Sequence, residues 1–466
     1  MHWRYMHKAN FYSGIYTSLI YVIYFIITKN NSNLRNLCIN SIIAIFSAIL
    51  VTLWKSKKIT GGLLYCICLI FMHLGQVVIV AFNMKFTQQL KSSIAIGETI
   101  TNSSQAVRFS TLACLLTLII VCFIENNTNE NDYITANLRL NYHIRFKPIA
   151  KIFVIFITTL TIIGDLIRVV NVATVGYGAG YKQTSTVLFY ADMIFTICVF
   201  LLISVYKNNY KFLRNLMLFV IMRAIVSAFF IGARSDAVLN IIMCVFAIRK
   251  LSTSAEIKNR VTRLFIWILI IGIIALPFTG IARNNSSLTL SSFFKEYNPI
   301  SYSLTEFGGT IINVCNGIAQ YRKLPLSDFF NSFLSIIPMS TILFPGLVTN
   351  YGGSYAAYLN TIYHGGYGGS IIGESAFWFG DGSLGLIFVM VISLIVVICM
   401  NILEKKRIKN DIASNTAILF LLYEMFYYIR GSVSDFQAGI KLAIYFYIII
   451  KFTRKYLFTD INKENI

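Results

Sequence analysis

The chain has 466 residues, of which 56% are hydrophobic and only 13% charged, with a net charge of +21 and a mean hydropathy of +0.68. Such a composition excludes a water-soluble globule and reads as an all-α polytopic integral membrane protein. The positive excess raises the possibility of a nucleic-acid partner, and the placement of the basic residues, taken up below, turns that possibility down.

Apolar stretches of about 17–25 residues cross a bilayer as helices. Twelve predicted spans follow one another near 11–28, 37–54, 61–84, 109–124, 149–172, 187–206, 212–231, 235–248, 264–281, 383–403, 415–429 and 438–452. The first follows Arg4 and Lys8 and continues as YFIITKNNSN, without small residues at cleavage spacing, so an uncleaved anchor is expected. In the third, YCIC (65–68) places two thiols within one helix, a pattern of packing residues rather than of a metal site, and no metal or other cofactor is expected. Only Cys315 of the nine cysteines belongs to the large outer segment, so no disulfide framework is expected there.

With the N-terminus inside, the inner segments carry 25 Lys and Arg and the outer segments 13, while Arg168 and Arg223 lie within spans. An excess of basic residues on alternate short loops orients a chain, so both termini are predicted to be cytoplasmic and nucleic acid is not an expected partner. The basic runs IRKLSTSAEIKNRVTR (248–263) and LEKKRIKND (403–411) then act as topology determinants beside anionic headgroups. No internal repeat appears, and residues 1–466 are read as a single integral membrane domain.

Between the ninth and tenth spans, residues 282–382 form one large extracytoplasmic segment rich in Gly, Tyr, Ser and Asn. Its stretch FFNSFLSIIPMSTILFPGL (329–347) is apolar but interrupted by proline, which suits a re-entrant or interfacial segment. The run NYGGSYAAYLNTIYHGGYGGS (350–370) alternates glycine with aromatic residues. It suits sugar contact, through close backbone approach and flat hydroxylated rings, and equally tight turns with interfacial aromatic anchors.

Charges inside a bilayer are costly, so their depth is informative. From the rise of about 1.5 Å per residue, Arg234 stands about 22 Å above Arg249, and Arg168, counted from Lys151, at a similar or slightly greater height. Arg283 and Arg430 close the ninth and eleventh spans at the outer boundary, whereas Arg223 lies about 14 Å above Arg214, nearer the midplane. Acids share the outer level: Asp165, Asp192, Asp236, Glu424 and Asp435. Asp165 and Arg168 stand three apart, at the spacing of an intrahelical pair. Arginine grips phosphate through two parallel bonds and keeps its charge, so guanidiniums at this level suit the diphosphate of a lipid-linked sugar, with the sugar facing outward.

Four stretches, FFIGARSDAVLN (229–240), SYSLTEFGGTI (301–311), GGSIIGESAFWFGDGSLGLIF (368–388) and YYIRGSVSDF (427–436), together with the hydropathic architecture, resemble the O-antigen polymerases of the Wzy type. The resemblance covers the second half of the chain in motifs and the first half in hydropathy. It implies a metal-independent glycosyltransferase of the bacterial inner membrane, its active site facing the periplasm. The growing glycan on undecaprenyl diphosphate would pass to the terminal sugar of an incoming undecaprenyl-diphosphate-linked oligosaccharide, without nucleotide. Membrane lipid is an implied partner, as are a chain-length regulator and a flippase of the same pathway. On matched motifs and depth, Arg234, Arg283 and Arg430 are expected to bind diphosphate, with Arg168, Asp236, Tyr351 and Tyr427 as further substrate contacts. Glu306 in LTEFGG or Glu374 in GESAFWFG is the expected base, and His364 the alternative. Helix capping or a structural pair accounts equally for Glu374, and Asp381 in FGDGSLG is expected to cap the tenth span. An O-antigen ligase shares these features; a flippase or transporter of lipid-linked oligosaccharide is the rival of a different class, against which stand the absent inverted repeat and the lopsided outer segment.

Overall fold

In the computed structural model, residues 2–29, 33–56, 60–84, 102–125, 143–175, 186–231, 234–252, 254–282, 298–337, 343, 355–363, 369–409 and 411–461 are described. Helix dominates because a chain this apolar must satisfy its backbone polar groups within each segment once it leaves water. Each of the twelve expected spans falls on a helix. Among the described residues, eight helices are long and apolar enough to cross a membrane: 11–28, 34–54, 61–82, 103–124, 148–174, 210–231, 383–403 and 433–457. The stretches near 187–206 and 264–281 lie in apolar helices of 20 and 28 residues, that near 415–429 in a helix of 17 residues, and that near 235–248 in a helix whose ends carry Arg234, Asp236, Arg249 and Lys250.

The chain divides into two compact units. The first comprises residues 1–127, 273–401 and 425–438. Its helices α1 (His2–Thr28), α2 (Leu34–Ser56), α3 (Gly61–Phe82) and α4 (Ser103–Ile124) pack on one another. The second comprises residues 128–272, 402–424 and 439–466. It contains strand β1 (His143–Phe146), α5 (Pro148–Val175), α6 (Thr186–Val205), α7 (Tyr210–Val226), which continues as a π-helical turn over Ser227–Ile231, and α8 (Arg234–Leu251). Helix α9 (Ala255–Ala282) follows.

The segment expected to be one large loop holds a series of short helices: α10 (Pro299–Phe307), α11 (Ile311–Ala319), α12 (Leu326–Ser332), α13 (Tyr355–Tyr363) and α14 (Ile371–Phe379). Each of these spans two or three turns, too few for an apolar period to declare itself in the sequence. Long helices resume as α15 (Ser383–Lys409), α16 (Ile412–Tyr428) and α17 (Val433–Leu457).

Close backbone approach fixes this part of the first unit. A Cβ on Gly75 of α3 would lie 2.6 Å from the Leu304 carbonyl of α10, and one on Gly317 of α11 would lie 2.3 Å from the Gly373 carbonyl of α14. The apolar half of the expected re-entrant stretch is anchored by Phe329 of α12, whose buried ring meets Phe333, Trp378, Phe379 and Phe388 with centroids 5.3–5.6 Å apart. Edge and tilted contacts of this kind bury large rings while matching their quadrupoles.

Two short strands depart from the all-α reading. Strand β1 pairs antiparallel with β2 (Phe458–Ile461), Phe146 opposite Phe458 and His143 opposite Ile461. The Phe146 and Phe458 rings meet at 5.3 Å and join a cluster with Ala150, Leu201, Ile412, Ala413 and Ile450 in the second unit. Neither strand exceeds four residues, which leaves no alternation to read in advance.

Candidate active site

Ser370 caps α14, accepting from the Gly373 amide at 3.1 Å, and its hydroxyl contacts Nε2 of buried His73 on α3 at 2.7 Å. The Nδ1 of His73 stands 3.0 Å from the Leu69 carbonyl, which only accepts, so Nδ1 is the donor there. One turn beyond Ser370, Glu374 is fully buried. It accepts from the Tyr428 hydroxyl at 2.6 Å and from the Val433 amide at 3.1 and 3.0 Å. Val433 opens α17, so the carboxyl sits against the unpaired amides and positive end of that helix. Burial pushes the Glu374 carboxyl up to about 8, against the downward pull of those two hydrogen bonds.

The turn between α16 and α17 carries Arg430. Its amide and that of Gly431 both bond the Tyr427 carbonyl, at 3.0 and 2.8 Å. Ser432 and Asp435 then form a reciprocal cap: the Asp435 carboxylate accepts from the Ser432 amide at 3.0 Å and hydroxyl at 2.7 Å, and the Ser432 hydroxyl accepts from the Asp435 amide at 3.4 Å. The Tyr428 ring stacks on Phe436 with centroids 5.4 Å apart. Held on this rigid turn, the half-buried Arg430 guanidinium has no hydrogen-bond or ion-pair partner among the described residues. Tyr427 is half-buried, its ring beside Gly431, and Glu306 lies half-buried in the last turn of α10.

A second polar cluster belongs to the second unit. Arg223 of α7 binds both oxygens of Asp165 on α5, at 2.7 and 3.2 Å, and also Asp192 of α6. Arg168 reaches Asp192 at 3.2 Å and Asp165 at 3.5 Å. The Arg223 guanidinium also lies over the Phe195 ring at 4.8 Å. Two guanidiniums and two carboxylates make the quartet neutral, and a cavity of about 40 Å³ beside it is lined by Arg168, Asp192, Arg223, Ser227, Asp236 and Asn240. That volume suits one or a few waters. The buried Nε of Arg168 has no hydrogen-bond partner among the described residues.

The structure therefore brings Arg168 and Asp236 to one cavity and carries Arg234, half-buried, at the first position of the same helix as Asp236. Glu306, Glu374, Tyr427 and Arg430 belong to the first unit. Arg283, Tyr351 and His364 lie outside the described residues. The intrahelical Asp165–Arg168 contact is the longest of the quartet's bonds. The unexpected partner is Arg223, which the count from Arg214 put well below Arg168. Arg214 already stands a turn inside α7, so the count started too high on the helix, and long side chains close the rest. The rule that charges within spans pair with one another would have marked Arg223 as a paired residue, without saying which acids it meets. Asp381 makes no side-chain cap among the described residues; the Gly382 carbonyl accepts the Leu386 amide instead.

A model of the family described as O-antigen polysaccharide polymerase Wzy matches residues 11–460. No curated protein and no solved structure matches the chain.

Proposed function

The chain belongs to the O-antigen polysaccharide polymerase Wzy family, and from that premise we propose how its residues carry out polymerisation. It is a multi-pass membrane protein and an O-antigen polymerase, acting on lipid-linked oligosaccharide repeat units. The match across 11–460 is the observation that carries this function. In our reading the chain is one integral domain of twelve spans in the bacterial inner membrane, with both termini cytoplasmic and the reaction on the periplasmic side. It needs no metal, and it meets a flippase and a chain-length regulator of the same pathway.

The reaction proposed is a displacement at the anomeric carbon. A hydroxyl of the incoming unit's terminal sugar attacks C1 of the growing glycan, the bond from C1 to the carrier phosphate breaks, and undecaprenyl diphosphate leaves with the electron pair. Negative charge grows on that phosphate in the transition state, where a fixed guanidinium stabilises it more than in the ground state. Arg430 suits this task, since its charge is not spent on a carboxylate among the described residues and its turn is rigidly capped. Donor and acceptor each bear a diphosphate, so Arg234 and Arg283 are assigned to carrier phosphate as well. Arg168 is engaged by two carboxylates, and we assign it with Asp236 to the polar cavity beside that quartet rather than to the departing charge. Glu306 is the proposed acceptor of the hydroxyl proton, with His364 the alternative; Tyr351 and Tyr427 are assigned to sugar contact. Glu374, sealed against α17, is assigned to holding that helix start.

Complementation of a polymerase-deletion strain tests this. Arg430→Ala is expected to leave surface lipid with a single repeat unit, and Arg430→Lys, which keeps charge but loses the planar fork, to restore only short polymer. A full ladder from Arg430→Ala at equal protein level overturns the assignment. Loss of all attached glycan would mark a ligase, and units stranded on the cytoplasmic side a flippase.

A further inference from the structure

A second cavity, of about 300 Å³, belongs to the first unit and is bounded by Tyr321, Phe379, Asp381, Gly382 and Ser383. Its volume is that of a small ligand site. The chain reaches it through unusual backbone. Gly380 has φ +86° and ψ 171°, a region open only to glycine, and the ring of Tyr321 packs against that bare backbone, 3.3 Å from where a Cβ would stand. Arg322 follows at φ +53°, its amide bonded to the Phe377 carbonyl at 3.0 Å, which ties the turn after α11 to the end of α14. Two segments distant in sequence are thus locked on either side of an opening.

The groups facing it are unspent. The Asp381 carboxylate, the Tyr321 hydroxyl and the Ser383 hydroxyl have no hydrogen-bond partner among the described residues; Tyr321 is 41% exposed, and the Arg322 guanidinium lies over its ring at 5.2 Å. A Cβ on Gly382 would meet nothing within 4 Å, so open space stands where any other residue would project. The Asp381 carboxylate disfavours phosphate and other anions, and the hydroxyls stand beside the apolar side chains of Ile318, Phe379 and Leu384, so the lining is mixed polar and apolar. It matches a neutral ligand that offers several hydroxyl donors and presents a flat apolar edge to an aromatic ring.

We propose that this cavity is a binding subsite for one neutral sugar residue of the glycan substrate, its hydroxyls donating to Asp381 and exchanging hydrogen bonds with Tyr321 and Ser383. The subsite rests on the polymerase reading and deepens it: here the enzyme recognises sugar apart from the carrier diphosphate. It lies where α15, one of the eight membrane-length helices, begins, at the end opposite its basic EKKRIK stretch. That is the level at which a sugar attached to a membrane-embedded carrier would stand.

The test uses the full chain in detergent and, as probe, the repeat-unit oligosaccharide released from the strain's own O-polysaccharide, with binding read by saturation-transfer difference NMR. Asp381→Asn keeps shape and disturbs no existing bond, and Gly382→Leu fills open space without touching a neighbour, so both are expected to melt as the parent does. Each is expected to weaken oligosaccharide binding at least ten-fold and, in membranes, to raise KM for the lipid-linked unit while leaving kcat within two-fold. Parental binding and KM in both variants, with polymerisation intact, overturns the subsite and leaves the polymerase reading standing. A parent chain that neither binds the oligosaccharide nor extends lipid-linked units overturns both.

Discussion

Glu374 shows how burial changes the meaning of a carboxyl. Its folded value of about 8 stands above the ordinary 4.5, so the unfolded chain releases this proton at lower pH than the folded one does. The stabilisation from the protonated group is therefore complete below about pH 4.5, declines above it and is lost as pH rises through 8, a swing on the order of a few kcal/mol. Glu374→Gln retains an acceptor for Tyr428 and Val433 but cannot ionise. Its thermal midpoint in detergent is expected to hold between pH 6 and pH 9 while the parent's falls, and parallel falls would refute the assignment. The quartet gives a second residue-scale prediction. Arg223→Met leaves buried Asp165 and half-buried Asp192 with one guanidinium and is expected to cost about 3 kcal/mol, the low end for a buried pair, read as lost protein in membranes. Adding Asp192→Asn should recover part of that loss, since the pair couples rather than adds. Candidate residues could be named from the sequence because a charge in an apolar run is conspicuous. Their partners could not, since Asp165, Asp192 and Arg223 come from three different helices.

At the scale of elements, long helices and short ones behaved differently. About twenty apolar residues in a row have one low-energy answer in a bilayer, and α1, α3 and α15 follow it. The short helices α10, α11 and α14 exist through contact. Where α11 crosses α14, the Gly317 position leaves 2.3 Å between an added Cβ and a carbonyl oxygen of the partner backbone, which has no rotamer by which to yield. Gly317→Ala is expected to lower stability by about 1–3 kcal/mol, measured as a drop in the detergent melting midpoint, and an unchanged midpoint would mean the crossing is looser than this geometry. The sequence shows the glycines but not that they face one another.

For the molecule as a whole, the imbalance of basic residues is a statement about orientation. A reporter active only in the cytoplasm is expected to work when fused after Ile466, and one active only outside to work when inserted near Lys295. The reverse pattern would invert every assignment of face made above. The segment 282–382 was legible as one region because it alone breaks the rhythm of spans. Its organisation into helices around Phe329, and the opening between Tyr321 and Asp381, were not, because they join residues about fifty to sixty positions apart.

What the sequence by itself determined is the membrane character, the positions of the long helices and the rarity of charge within them, because bilayer thickness and the cost of unpaired backbone act on each segment alone. What only the tertiary structure decided is which charges cancel and which stay open: Arg168 and Arg223 are spent on Asp165 and Asp192, Glu374 on a helix start, while Asp381 is left facing a cavity. The physical reason is range. Hydropathy sums along a chain, whereas a hydrogen bond or an ion pair is settled within a few ångströms between segments that only folding brings together.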